Sequence, residues 1–407
     1  MLINRGYRYR LYLTAKQQKL FSQYAGVCRL VYNLGLEQRT HHWRQFRRQM
    51  GTSISDVTQS AELTALRAEF DWIKEVAITP QQQALRDLQV AYKNFFAARA
   101  LYPTPRRKGV DDAFRFQGRE VEVKKINRNW SAVKLPKIGW VRYRDSRALE
   151  GKIKNVTLSR DALGWHVAFS LEIERDVEPA PKAAVGIDRG VANSVALSTG
   201  AMPVFPIEQI NVLVRRRQAV QQSLAKRKKG SKRRRKEIRR AAAISARVAR
   251  VRKHWNHVQT ARIARDFNFV CIEDLRTANM TRSASGTLED PGTNVAQKSG
   301  LNRSILERGW RQFETLLEYK LRERGSTLKK VDPKNTSRSC SHCEHVDARN
   351  RESQAQFRCV ACGHEAHADV NAAINILRAR TRPAIDKSRS RISPKRKSRL
   401  SVKVPVP

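Results

Sequence analysis

Four cysteines constrain this chain more than any other feature. Cys340, Cys343, Cys359 and Cys362 stand as Cys-x2-Cys-x15-Cys-x2-Cys. Each close pair can wrap one side of a tetrahedral zinc ion, with the intervening residues forming a small ribbon. Gly363, directly after the last cysteine, suits the left-handed turn that such a knuckle needs. Four sulfurs close the coordination sphere, so the expected ion is one structural Zn2+. His342, His345, His364 and His367 are then surplus as ligands. Cys28 and Cys271 stand alone in apolar surroundings and read as small core residues.

The charge balance narrows the partner. The 407 residues carry 81 Lys+Arg against 37 Asp+Glu, a formal net charge of +44. Like charges at that density repel in a compact state, and phosphates of a polyanion are the usual remedy. No run of about 18 apolar residues is present, and the start MLINRGYRYRLYL lacks the apolar centre of a signal peptide. The reading is a soluble intracellular protein that works on nucleic acid, without a membrane partner.

Periodicity divides the chain. GYRYRLYL at 6–13 alternates as a strand, and Thr14 can cap a helix with apolar residues at three- and four-residue spacing. Further helix is expected near 61–73, and Pro80 suits the first turn of another. From about 112 to 175 short alternating runs predict a β-rich module, with the strand at 6–13 joining it. Residues 179–184 read as a linker, and VGIDRGVANSVALSTG as a hairpin opening a new domain. Residues 207–266 read as helical with a turn at Gly230-Ser231, and FNFVCIEDL as a buried strand. SILERGWRQFETLLEYKLRERG reads as one helix stopped by glycine, and DVNAAINILRAR as the last helix.

Three acids fall at telling places: Asp188 in the hairpin, Glu273 at the end of the buried strand, Asp369 opening the last helix. Singly, each has an ordinary reading as turn residue, polar strand end or first-turn acid. Together they form the arrangement of ribonuclease-H-like nucleases. Three converging carboxylates cannot all stay charged without counter-cations. Two Mg2+ ions about 3.5–4 Å apart would supply them and support phosphodiester hydrolysis.

GIDRGVANSVALSTG, CIEDL, TSRSCSHC and FRCVACGHEAHADVNAAINIL, in this order, resemble the TnpB (OrfB) family, transposon-encoded proteins related to compact type V CRISPR nucleases. RYRLYLT, FRFQG and KRKKGSKRRRK extend the resemblance to all but the tail. One departure is Glu344, where a glycine commonly follows the first cysteine pair. The resemblance implies a multidomain α+β chain. It places a β-barrel wedge domain at 1–13 and 110–180 and a helical recognition domain at 14–109. An RNase H-like (RuvC) nuclease domain follows at 181–334 and 366–380, with a basic helical hairpin at 207–266. A zinc ribbon at 335–365 interrupts it, and a disordered basic tail at 381–407 ends the chain. It further implies an RNA-guided DNA endonuclease of the prokaryotic cytoplasm and nucleoid. The guide RNA would come from the transposon end, and double-stranded target DNA would be cut beside a short transposon-adjacent motif. Asp188, Glu273 and Asp369 would be the catalytic set on Mg2+, with Mn2+ as an expected substitute. A non-cleaving regulator that binds guide RNA or DNA, and a transposase that breaks and rejoins DNA, are the alternatives.

Nucleic-acid contacts follow from the basic segments. Lys226, Arg227, Lys228, Lys229, Lys232, Arg233, Arg234, Arg235 and Lys236 place nine cations in eleven positions. That run reads as phosphate contact and predicts steep salt dependence. Tyr7, Arg8, Tyr9 and Arg10 interleave aromatic and basic residues, either to clamp single-stranded RNA or partly as core. Gln81 and Gln82, with Gln83, are candidate adenine readers or simply a polar helix start.

Overall fold

The computed structural model describes residues 2–50, 54–174, 176–177, 182–287 and 289–379, so the basic tail expected from 381 lies outside the described residues. The chain divides into two compact units, Met1–Asp176 with Asn211–Val248, and Val177–Ile210 with Ala249–Pro407.

The first unit opens with β1 (Leu2–Tyr12), whose odd-numbered residues from Ile3, except Arg5, are buried. Thr14 then forms the expected cap of α1 (Ala15–Met50): its hydroxyl accepts from the Gln17 N–H at 3.3 Å, and the Gln17 side chain accepts from the Thr14 N–H at 3.1 Å. Three more helices follow: α2 (Asp56–Glu69), α3 (Asp71–Lys74) and α4 (Ile78–Phe96), with Pro80 in its first turn. Six strands follow: β2 (Ala113–Gln117), β3 (Glu122–Asn127), β4 (Trp130–Leu135), β5 (Gly139–Arg144), β6 (Lys152–Asp161) and β7 (Gly164–Glu174).

All six neighbour pairs are antiparallel, in the order β2-β6-β7-β1-β5-β4-β3. β1 lies at the centre, pairing β7 along Leu2–Arg10 and β5 through Leu11 and Tyr12. The helices are therefore inserted between two strands of one sheet. They also share its core: Phe21, Tyr24 and Val27 of α1 pack in one cluster with Phe114, Phe116 and Phe169 of the strands. The helical segment and the strands thus form one unit with a common interior, rather than two separate cores.

The second unit begins at β8 (Lys182–Asp188), so Lys182–Ala184 of the expected linker are strand. β9 (Ala196–Leu197) returns antiparallel to β8. Next in the chain come α5 (Ile207–Ala225) and α6 (Lys232–Asp266), the expected basic helical pair, with Gly230 at φ +81° in the turn between them; their stretch Asn211–Val248 belongs to the first unit. β10 (Phe267–Glu273) pairs parallel with β8, and β11 (Thr327–Val331) parallel with β10. The sheet order is β11-β10-β8-β9. Between β10 and β11 lie the short α7 (Thr277–Met280), α8 (Val295–Arg308) and α9 (Trp310–Arg322). The single helix expected over this region is broken at Gly309, which takes φ +68° and approaches Arg252 and Asn256 so closely that a Cβ would meet the Arg252 side chain at 2.9 Å. β12 (Gln356–Arg358) and β13 (Glu365–His367) form the ribbon hairpin, and α10 (Ala368–Arg378) closes the unit.

α10 packs across β8 at a glycine. A Cβ on Gly186 would lie 2.0 Å from the Ala373 carbonyl oxygen and 2.8 Å from the Leu377 nitrogen. The backbones cannot approach that closely with any side chain present. Gly186→Ala should therefore push α10, and Asp369 with it, off the sheet. The expected result is a destabilisation of about 3 kcal/mol or more in denaturant melts, together with loss of whatever chemistry Asp369 supports.

Candidate active site and metal centre

β8 and β10 run side by side with Ile187 opposite Ile272, so Asp188 and Glu273 leave the carboxyl ends of adjacent parallel strands. Asp369 comes from the first turn of α10, which crosses β8. The sequence-predicted trio is thus brought together. Glu273 and Asp369 are buried at 8% and 5% exposure, and Asp188 is half-buried.

The three acids sense one another. Burial, then the charges of Glu273 and Asp369, push the Asp188 carboxyl up to about 7, against the lowering effect of Arg351. Burial also raises Glu273, opposed by its hydrogen bond from Thr336 and by the Arg189 charge. The Thr336 hydroxyl donates to Glu273 Oε1 at 2.6 Å. Asp369 Oδ2 accepts from the Asn193 amide at 2.9 Å, and Oδ1 faces the Arg351 guanidinium at 3.4 Å. Buried Arg189 binds the Glu273 carbonyl and pairs with Glu314 at 3.0 Å, fixing the strand end that carries the carboxylate. Carboxylate oxygens are the donors a hard divalent cation takes, but among the described residues the four cysteines are the group whose ligand atoms lie close enough to hold an ion as they stand. Asn193 and Arg351 meanwhile hold Asp369.

The helix-cap reading of Asp369 is answered directly. His367 is the cap: its Nδ1 accepts from the Asp369 N–H at 3.2 Å. The Asp369 carboxylate is therefore not the helix cap; it faces Asn193 and Arg351.

The four cysteines also converge, their Sγ atoms all within 4.8 Å of one another. They are the set that would hold Zn2+ as a closed structural ion. The two knuckles repeat the same backbone pattern. The Cys340 N–H donates to the His345 carbonyl, and the Cys359 N–H to the His364 carbonyl, both at 2.9 Å. Each turn then needs a left-handed residue, and Glu344 at φ +64° takes the place that Gly363 takes at φ +73°. The missing glycine therefore leaves the geometry intact at a conformational cost. Glu344→Gly should raise ribbon stability by roughly 1 kcal/mol, read as greater resistance to zinc extraction by a chelator.

Arg351, Thr336, Asn193 and Arg189 are the contacts of the acid cluster that sequence reasoning missed. Arg189 and Asn193 lie in the motif around Asp188 and Thr336 opens TSRSCSHC, while Arg351 lies in none of the motifs.

The nucleic-acid candidates divide. Tyr7 at 8% and Tyr9 at 2% exposure belong to the core, so Tyr7 cannot stack on a base as expected. Arg8 and Arg10 are exposed, Arg8 pairing with Asp161 at 3.2 Å. Gln81 is fully buried and donates to the Ile73 and Val76 carbonyls at 3.0 and 3.1 Å, which makes it a helix-corner plug rather than a base reader. Gln82 is half-buried. Of the basic run 226–236, Arg234 is half-buried and donates to the Leu224 carbonyl at 2.8 Å, closing the turn between α5 and α6. Its eight basic companions are exposed.

Family models place this arrangement. One described as a Cas12f1-like TNB domain matches residues 310–376, and the OrfB_IS605 model, described as a probable transposase, matches 168–284. A helix-turn-helix model of the same group matches 1–48, a segment that folds here as β1 and the single long α1. The chain is 36% identical over 378 residues to the Escherichia coli K12 protein named "Putative RNA-guided DNA endonuclease InsQ", covering 92% of this chain and 91% of that one. The chain belongs to the TnpB (OrfB) family. A Streptomyces pristinaespiralis protein named "Putative RNA-guided DNA endonuclease" is 32% identical to this TnpB chain, covering 93% of it and 89% of its own length. Among solved structures, a Cas12f1–sgRNA–target DNA complex superposes with a TM-score of 0.59 at 14% identity, covering 92% of this chain and 98% of that one. The mini-RNA-guided endonuclease Cas_phi3 gives 0.51 at 10% identity, with 93% and 92% covered. The TnpB chain therefore shares the mixed α/β fold of compact Cas12 nucleases. Among its described residues no helix is long and apolar enough to cross a membrane.

Proposed function

We propose that this protein is a transposon-encoded RNA-guided DNA endonuclease, cutting double-stranded DNA beside a short adjacent motif at a single acid site. The observation that carries the reading is the convergence of Asp188, Glu273 and Asp369 from two adjacent parallel strand ends and one crossing helix. The sheet order, with three parallel strands and an antiparallel fourth, supports assigning 181–334 and 366–380 to an RNase H-like nuclease domain. Residues 335–365 would be its zinc ribbon. Residues 1–13 and 110–180 would serve as the wedge module and 14–109 as the recognition segment. The exposed cations of 226–236 would contact the guide RNA or heteroduplex backbone. The site of action would be the prokaryotic cytoplasm.

Bound Mg2+ supplies charge neutralisation and water activation for phosphodiester hydrolysis. The chain's part is to hold the acids in place. Asp188 must shed a proton held near neutrality before it can act as a ligand. Thr336 and Arg189 fix Glu273. Arg351, half-exposed beside Asp369, would be placed to meet a substrate phosphate.

The test is to purify the protein from cells carrying its native locus and sequence the bound RNA. A defined RNA ending in a variable segment is expected, and that complex should cut matching plasmid DNA only with Mg2+ present. Random degraded RNA, or cutting that survives removal of all three acids, would overturn the reading. Joined rather than broken products would replace it with a transposase.

A further inference from the structure

We infer that the outer face of β1, β5, β4 and β3 is a stacking shelf for unpaired bases of the guide RNA. The inference deepens the proposed function and rests on it for the identity of the RNA. In β1 the buried residues Tyr7, Tyr9 and Leu11 alternate with outward Arg8, Arg10 and Tyr12. Pairing carries that parity across the sheet: Tyr12 lies opposite Arg142, Arg142 opposite Ala132, and Ala132 opposite Lys124. The outward positions hold an unusual mixture. The Tyr12 and Trp130 rings meet edge-on with centroids 4.8 Å apart, and the Arg142 guanidinium lies 5.0 Å from the Trp130 centroid. Arg10 sits 5.6 Å from the Tyr12 ring. One strand further, Lys124 stands 4.2 Å over Trp140.

This layer is partly exposed: Tyr12 is 44% accessible, Arg10, Arg142 and Lys124 are exposed, and Trp130 and Trp140 are half-buried. Ala132 beneath it is only 1% accessible, so the aromatic layer has a closed floor. Glu122 is the one acid at these outward positions, and it is paired with Lys134 at 3.0 Å. Exposed cation–π pairs add little to folding, so stability does not account for three aromatic rings laid among cations on a solvent face. Rings and guanidinium planes accept bases by stacking, and the cations accept phosphates. A duplex hides its base faces in its own stack, so the ligand is single-stranded. The guide is the fitting strand, because a chain of net charge +44 needs a resident polyanion before any target arrives.

The test uses the full chain stripped of RNA and three labelled probes: oligo(rA), oligo(dA) and a blunt RNA duplex. Trp130→Leu and Trp140→Leu keep apolar volume and remove the stacking face. Each should weaken oligo(rA) binding roughly 10-fold, leave the salt slope unchanged and spare the duplex. Trp130→Phe should recover most of the loss, and melting temperatures should confirm that the variants fold. Equal weakening for duplex RNA, or no weakening at all, would overturn the shelf. Weakening for oligo(dA) alone would assign the face to a displaced DNA strand and overturn the guide assignment. If the wild-type protein never cuts with RNA yet still needs Trp130 for oligo(rA), the nuclease reading fails and the shelf stands.

Discussion

Asp188→Asn should abolish DNA cutting and, with no Mg2+ added, make the protein more stable at neutral pH. The first effect follows from losing a charged ligand in a three-acid set, and a fall of about 1,000-fold or more, ~4 kcal/mol of barrier, is expected. The second follows from linkage. Burial first, then Glu273 and Asp369, hold the folded-state carboxyl up to about 7, against 3.8 for an unperturbed aspartate. The folded state therefore binds more protons than the unfolded chain between those values, and stability falls as pH rises through that window. Below the lower value the carboxyl is protonated in both states and the penalty disappears. A carboxamide imitates the protonated acid at every pH, so Asn removes the penalty at neutrality. The gain should be about 1–3 kcal/mol, or several degrees in melting temperature. It should shrink to nothing at about pH 4. Chelators must be left out, because they would strip the cysteine site as well. A variant that melts lower than wild type at neutral pH, or a gain that persists into acid, would show that the acids do not repel one another as described.

The candidate site residues were the most legible in the sequence, because their motifs are local. Cys340 with Cys343, and Cys359 with Cys362, need only a knuckle turn to converge, and the spacing announces it. Asp188 and Glu273 were readable because a buried apolar run ending in an acid is a strand end, whatever surrounds it. The residues that support them were not. Arg351 is a polar loop residue whose partner lies 18 positions away, and nothing local distinguishes it from solvent-facing neighbours; Thr336 opens the motif TSRSCSHC, but its bond to Glu273, 63 positions away, cannot be read from that motif. Gln81 misled for the opposite reason. A glutamine at a helix start is usually solvated, yet Gln81 turns inward and donates to the Ile73, Val76 and Ala77 carbonyls at the corner made by α3, the first two of which also accept from Arg67. Gly309 misled because helical periodicity runs across it while its own φ is set by tertiary contact with α6. The common core of helices and strands was likewise invisible, since a shared interior is a property of long-range pairing and not of composition.

Removing zinc should silence the acid site even though no cysteine belongs to it. Cys340 is joined to α10 through a short, fully bonded path. The Ser341 N–H donates to Asn371 Oδ1 at 2.8 Å, and the Asn371 amide donates to the Ser339 carbonyl at 2.8 Å. One turn on, the Asn375 amide donates to the Ser339 and Thr336 carbonyls at 2.7 and 3.0 Å. Thr336 in turn holds Glu273, and Asp369 sits on the same helix two residues before Asn371. The loop from Thr336 to Cys340 is thereby clamped at one end by α10 and at the other by the metal centre. A structural zinc ion contributes on the order of 10 kcal/mol to the fold of its ribbon, so its loss releases the loop that positions Glu273. Cys359→Ser should bring bound zinc from one ion toward none by elemental analysis and reduce cutting below detection. RNA retention through the exposed cations of 226–236 should persist, which separates loss of the site from loss of the whole protein. Asn371→Ala isolates the clamp from the metal. It should keep its zinc yet lose about 10–100-fold in cutting, with a raised Mg2+ requirement, as expected for a group that orients a ligand. Full cutting by Cys359→Ser, or an Asn371→Ala protein whose Mg2+ requirement matches the wild type, would show that the ribbon and the acids are independent.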